Sequence, residues 1–326
     1  MQNFRGVDHA GIGVGNMDEA LLFWRDKLGF TELYFDYTGP VPGLEEICKK
    51  KDVKARIVML GNRHTTRLGP GKVKLVQRLD GNGAPEYPAG IGYGEVGLAE
   101  VCLHTLHTEK IFRHLVDDLK IKSLMEPLSA SVGENNIDLD IAYVADPWMG
   151  RVELIDWKGL WTARPAAPRI EGVNHVAFGV HDMKVTTDFY KQLGFTDQIF
   201  ESKEFFEPMA PWYQVGRPLP GHHMTLWLSG EGAGIEPVRL TPLWEDCRGE
   251  WGHVGPMDFG IGVQKIFSDR SKAFASRDKV LATNDKTPFI NIQDWQMPSI
   301  EQVLETKLWP RVELIFNHSG ADGQLV

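Results

Sequence analysis

The chain has 326 residues, 42% of them hydrophobic and 24% charged, with a formal net charge of −9. That length holds two ordinary domain cores. The acidic balance, with Lys49 to Lys51 as the longest basic run, argues against nucleic acid as a partner.

Residues 7–14 alternate in strand fashion. Met17, Ala20, Leu21, Trp24 and Leu28 then recur at helical spacing, with Asp18 and Glu19 in the first turn, where the helix dipole favours acids. Strands are expected at 31–37, 55–60 and 73–78. The glycine-rich stretch 81–94 lacks the strand-to-helix setting of a phosphate loop and reads as a connection. A strand at 99–106, a helix at 108–119 and strands at 141–144 and 152–156 follow. Residues 157–172 carry Pro165 and Pro168 and little periodicity, so a linker is expected at 161–171, between a first domain at 1–160 and a second at 172–326. In the second half, strands are expected near Val173, Thr196, Met224, Val238, Asp258 and Val312. Residues 279–302 have no clear period, and their strands stay unplaced.

The chain repeats itself. VDHAGIGVGNMDEALLFWRDKLGF at 7–30 aligns with VNHVAFGVHDMKVTTDFYKQLGF at 173–195, matching Val7 to Val173, His9 to His175, Gly13 to Gly179, Met17 to Met183 and Phe23 to Phe189. A one-residue deletion brings Leu28-Gly29-Phe30 onto Leu193-Gly194-Phe195. Later in each half, Arg151-Val152-Glu153-Leu154-Ile155 recurs as Arg311-Val312-Glu313-Leu314-Ile315. Each half also looks doubled, which makes four β-α-β-β-β units in tandem. The three cysteines, Cys48, Cys102 and Cys247, are scattered and form no CxxC, which speaks against a disulfide framework. No apolar run approaches the roughly 18 residues of a bilayer span, and the N-terminus has no leader pattern; a cytoplasmic protein without membrane partners is expected.

The opening strand with its histidine, the helix ending in Leu28-Gly29-Phe30, and the closing run from Asp146-Pro147 through Gly150 to Glu153-Leu154 resemble the vicinal oxygen chelate superfamily, which includes glyoxalases, bleomycin-resistance proteins and extradiol dioxygenases. The resemblance covers nearly the whole chain. It implies an α+β fold in which tandem β-α-β-β-β units form two cupped mixed-sheet domains. It also implies a divalent metal held by first and last strands. Mapped one position at a time, the implied ligands are His9, Glu100 and Glu153, with His175, Asp258 and Glu313 in the second half. Units consecutive in sequence could pair. Alternatively, as in some four-unit relatives, the first could pair with the fourth, which would bring His9 to Asp258 and Glu313, and His175 to Glu100 and Glu153. A further ligand of glyoxalase-type members falls on Lys74 and Arg239, and a cation there cannot bind a metal.

Each implied set has one histidine and two acids, where ring-cleaving relatives use two histidines and one glutamate. Such a set suits Fe²⁺ or Mn²⁺, with Mg²⁺ or Zn²⁺ as alternatives. Against the metal stands a structural ion pair of the acids with Lys74 or Arg239. Without metal, Glu100 and Glu153 could form an acid/base pair. On the strand at Met224, His223 is the candidate acid/base histidine, against a plain turn histidine after Pro220-Gly221. His104 shares the strand parity of Glu100 and could line the cup. Phe205, Phe206, Trp212, Tyr213, Trp227 and Trp244 make the second half aromatic; core packing is the default reading, and a pocket for an aromatic small molecule is the alternative. The first functional expectation is ring-cleaving dioxygenase chemistry on a small molecule with adjacent oxygens. The alternatives are a glyoxalase-type lyase, isomerase or epimerase, and a metal-free binding or resistance protein. A homo-oligomer is left open.

Overall fold

The computed structural model describes residues 4–41, 51–62, 71–80, 97–134, 136–160, 165–180, 183–192, 194–203, 222–229, 233–240, 258–263, 289–290 and 314–316. The first unit runs β1 (Phe4–Gly13), helix α1 (Met17–Leu21), β2 (Glu32–Pro40), β3 (Lys54–Gly61) and β4 (Lys72–Arg78). Asn16 caps α1, its Oδ1 accepting from the amides of Asp18 and Glu19. The helix continues through a wider π turn over Leu22–Lys27, whose Trp24 packs edge-on against Phe23 and Phe30. The second unit repeats the order: β5 (Gly97–Leu106), α2 (Thr108–Arg113, with a π extension over His114–Asp118), β6 (Ser123–Val132), β7 (Ile137–Ala145) and β8 (Arg151–Trp157). The third has β9 (Arg169–Gly179), α3 (Met183–Gln192), β10 (Asp197–Ser202), β11 (His222–Leu228) and β12 (Gly234–Leu240). Of the fourth, β13 (Asp258–Val263), β14 (Phe289–Ile290) and β15 (Leu314–Phe316) are described.

The expected α+β class is what the structure shows, and the first three units have the expected β-α-β-β-β order. β6 was not expected. Its burial alternates only between half-buried and exposed, and Ser123, Glu126, Ser129 and Ser131 hide the apolar signal. β9 starts at Arg169, so the last three residues of the expected 161–171 linker belong to a strand.

The units pair across the chain rather than along it. One sheet has the order β14-β15-β13-β1-β4-β3-β2, and the other β10-β11-β12-β9-β5-β8-β7-β6. Unit one thus joins unit four through antiparallel β1 and β13, and unit two joins unit three through antiparallel β5 and β9. Of the two pairings the sequence left open, this is the second. The boundary at 161–171 therefore falls between two units that share a sheet. The two sheets touch where Val7 and Ala233 exchange backbone hydrogen bonds of 2.8 and 2.9 Å.

One continuous core lies on the helix side. It takes Trp24, Phe30, Phe112, Phe178, Tyr190 and Phe195 and alternate residues of the strands, such as Val101, Leu103, Val152, Leu154 and Val176. The intervening residues of the same strands point the other way, into the cup.

Candidate metal centre

Strand register decides which side chains meet. On β5, Cys102 sits directly opposite His175 of β9 and directly opposite Glu153 of β8. Glu153 in turn faces Tyr143 of β7. Two residues along, Glu100 faces Ala177 of β9, and Ala177 faces Glu236 of β12. Directly paired residues share a face, and so do residues two apart on one strand. Glu236, His175, Glu100, Cys102, Glu153 and Tyr143 therefore project into one cup from five strands, β12, β9, β5, β8 and β7. All are buried.

The donor atoms converge. One ligand atom each of Glu100, His175 and Glu236 lie within 4.8 Å of one another, and so do those of Cys102, Glu153 and His175. His175 Nε2 is 3.4 Å from both Glu153 Oε2 and Glu236 Oε2. Tyr143 Oη donates to Glu100 Oε1 at 3.4 Å.

Burial sets the charges. It pushes the His175 imidazole down to about 3, so the ring is neutral at ordinary pH and its contacts with the two carboxylates are not ion pairs. Nδ1 lies 2.9 Å from Asn174 Oδ1, which can only accept; Nδ1 therefore carries the proton, and Nε2 presents a lone pair. Burial also raises Glu153 to about 7, against hydrogen bonds from Cys102 and Tyr143. It raises Glu100 well above the usual carboxylate range, helped by Glu153 and Glu236 and opposed by Arg151 and Tyr143. His175 Nε2 and Glu153 Oε2 are fully buried without a hydrogen-bond partner. Lone pairs crowded in this way repel unless a cation or a proton lies between them. A neutral imidazole oriented by its second nitrogen, together with several carboxylates, fits a divalent metal.

Of the sequence-derived residues, Glu100, Glu153 and His175 come together. His9 is buried on β1 in the other sheet, beside Gly260 and Lys72. Asp258 faces Gly11, the register that Glu100 has against Ala177, two residues beyond the histidine in each case. Glu313 lies outside the described residues, as do Phe205, Phe206, Trp212, Tyr213, Trp244 and the loop at 81–94. Two expectations need correction. Arg239 is not at the fourth-ligand position: Lys74 faces Gly11, and the corresponding partner of Ala177 is Glu236. The match of Val238-Arg239-Leu240 to Val73-Lys74-Leu75 is a slip of three residues. His223 does not face the cup either. It shares its face with Thr225 and Trp227, on the helix side, whereas Met224 and Leu226 turn inward beside Glu236. Its Nε2 bonds Glu201 Oε1 at 2.6 Å. Trp227 packs in the helix-side core under Lys191, as the default reading had it. Glu236, Cys102 and Tyr143 were missed. Parity with Glu100 pointed to Cys102, and β7 was placed; for Glu236 no local signal existed.

Two mixed sheets, each joining two units of this strand order, are the α+β architecture that the resemblance to the vicinal oxygen chelate superfamily implied. Neither a protein-family model nor a curated protein matches the chain. Among solved structures, glyoxalase I from Zea mays is similar at 16% identity, over 86% of this chain and 80% of that one, with a TM-score of 0.45. A candidate dioxygenase from Bacillus subtilis matches at 13% identity over 73% and 64%, with a TM-score of 0.44. A mutant of 4-hydroxymandelate synthase from Streptomyces coelicolor matches at 12% over 74% and 94%, with a TM-score of 0.29. Likenesses this distant bear on neither substrate nor reaction. Among the described residues, no helix is long and apolar enough to cross a membrane.

Proposed function

We propose that the chain is a metal-dependent enzyme that moves a proton on a small molecule with adjacent oxygens, as a lyase, isomerase or epimerase does. One observation carries the reading: Glu236 supplies a fourth donor to a cup that already holds His175, Glu153 and Glu100. Three donors suffice to hold the ion, and the reading gives this to His175 with Glu153 and Glu236, whose Oε2 atoms each lie 3.4 Å from His175 Nε2. That leaves Glu100 for acid/base work, with its proton affinity raised by burial and by the neighbouring Glu153 and Glu236. When bound, the metal would polarise the paired substrate oxygens and acidify the neighbouring C–H. Glu100 takes that proton and returns it to a second atom. Tyr143 orients the Glu100 carboxyl through Oε1. A holding set of one histidine and two carboxylates, with no second histidine, disfavours the oxygen-activating triad. Oxygen donors of this kind suit Mn²⁺, Fe²⁺ or Mg²⁺.

Ring-cleaving chemistry stays as the second reading because the cup floor beside Cys102 is apolar, lined by Leu139, Ile141 and Ile155, and would accept an aromatic ring. One experiment separates the two. Mn²⁺- or Fe²⁺-loaded protein in deuterium oxide is offered α-hydroxycarbonyl compounds and catechols. Deuterium entering the carbon beside the oxygens supports proton transfer, and oxygen uptake with a catechol overturns it. Glu236→Gln should weaken Mn²⁺ binding by about 10–100-fold; unchanged metal content would remove Glu236 from the ligand set.

A further inference from the structure

The donors in the cup differ in chemical softness, and the sheet sorts them into rows. One row, two residues along from the other, is Glu236 and Glu100 with the carboxylates' oxygen atoms only. The other runs straight across three neighbouring strands as His175, Cys102 and Glu153. In this second row, Cys102 is the central member, wholly buried, and its Sγ lies within 4.8 Å of the donor atoms of the other two. It is a free thiol. The residues flanking it point to a ligand on their own account. His175 Nε2 and Glu153 Oε2 are both buried, both without a hydrogen-bond partner and 3.4 Å apart, in a group whose ligand atoms lie within 4.8 Å of Sγ.

We propose that this row, Cys102 Sγ, Glu153 and His175 Nε2, is a second coordination set for thiophilic divalent ions such as Zn²⁺ or Cd²⁺, overlapping the oxygen-rich set at His175 and Glu153. The inference rests on the reading of the cup as a metal centre. It adds that sulfur divides the ions the cup can take. One nitrogen, one oxygen and one sulfur donor would suit zinc-class ions, whereas Mn²⁺ and Mg²⁺ prefer oxygen and gain nothing from sulfur. On binding, the Sγ–H bond gives up its proton to solvent and the sulfur electron pair goes to the ion. Because both sets would use His175 and Glu153, an ion held in one would exclude an ion from the other.

The test uses the metal-stripped full chain and Co²⁺, which reports a thiolate ligand by an intense near-ultraviolet sulfur-to-metal absorption and other ligands by weak visible bands alone. The wild type is expected to show the intense band with one bound Co²⁺, to lose it on adding Cd²⁺, and to lose it in Cys102→Ser while Co²⁺ still binds. Glu100→Gln keeps it. In parallel, Cys102→Ser should weaken Cd²⁺ binding by on the order of 100-fold and leave Mn²⁺ binding unchanged. Co²⁺ bound to the wild type with visible bands alone overturns the sulfur row and leaves the metal centre standing. A band that survives in Cys102→Ser also overturns it, since another cysteine is then the ligand. No bound Co²⁺ and no bound Mn²⁺ in the wild type overturns both the row and the centre. The wild-type spectrum decides the matter even if the serine variant fails to fold.

Discussion

Asp146 shows what burial does to a carboxylate held by backbone amides. Its Oδ1 accepts from the amides of Trp148 and Gly150 at 2.9 and 2.7 Å, closing the turn between β7 and β8. Burial nonetheless raises it from 3.8 to about 6, the two amide hydrogen bonds opposing the rise. A folded value above the unfolded one means the native state holds the proton more tightly. This contribution to stability is full below pH 3.8, declines as pH rises to about 6, and is absent above. Asp146→Asn keeps an acceptor oxygen for both amides and removes the charge. The variant should gain about 1–3 kcal/mol over the wild type at neutral pH and nothing at a pH well under 3.8. Urea unfolding at the two pH values checks this, and equal gains at both would show that ionisation is not the cause. The turn was legible in the sequence because Asp146-Pro147 and Gly150 are turn residues by type. Glu236 was not, since Ile235-Glu236-Pro237 shares no residue with Val73-Lys74-Leu75, and only the register of β12 against β9 makes the two positions equivalent.

Between elements, one close backbone approach is made by glycine. A Cβ placed on Gly71, just before β4, would lie 2.5 Å from the backbone nitrogen and 2.6 Å from the backbone oxygen of Val173 on β9. Gly172 beside it takes a φ of +126°, which L side chains rarely adopt, and a Cβ there would meet Gly71 O at 3.0 Å. Here β4 of one sheet leans on β9 of the other, two residues before His175. Backbone atoms cannot swing aside as a side-chain tip can. Gly71→Ala should therefore destabilise the protein by about 1–3 kcal/mol, read as a lower urea midpoint, and should loosen metal binding through the shift of β9. An unchanged midpoint would mean the sheets do not meet this closely. The elements that sequence periodicity located are those with one clean apolar face, such as β1, β5, β8 and α1. β6 escaped because it is an edge strand of its sheet, where serine and glutamate outnumber buried residues.

At the scale of the whole molecule, the pairing of units decides where the site can exist. Motif order gave the four units, but no local pattern says which sheet edges join, because β1, β5 and β9 are all apolar strands with both edges free to pair. In the structure, Glu100 and Glu153 come from residues before 160, and His175 and Glu236 from residues after 171, in one eight-stranded sheet. Splitting the chain at the proline-bearing segment therefore divides the donor set in two and exposes the β5–β9 edge along its full length. Expressed alone, residues 1–160 and residues 161–326, the second keeping all of β9 from Arg169, should each bind no stoichiometric Mn²⁺ or Co²⁺ and should associate or aggregate through those bare edges. Mixed or co-expressed, the two pieces should recover one metal site, because the strands that build it need no covalent link between β8 and β9. Metal analysis of each piece and of the mixture checks this. A first piece that binds metal alone would mean that units one and two close a cup of their own. Full sites from the mixture, and none from either piece, would follow directly from β5 lying between β8 and β9.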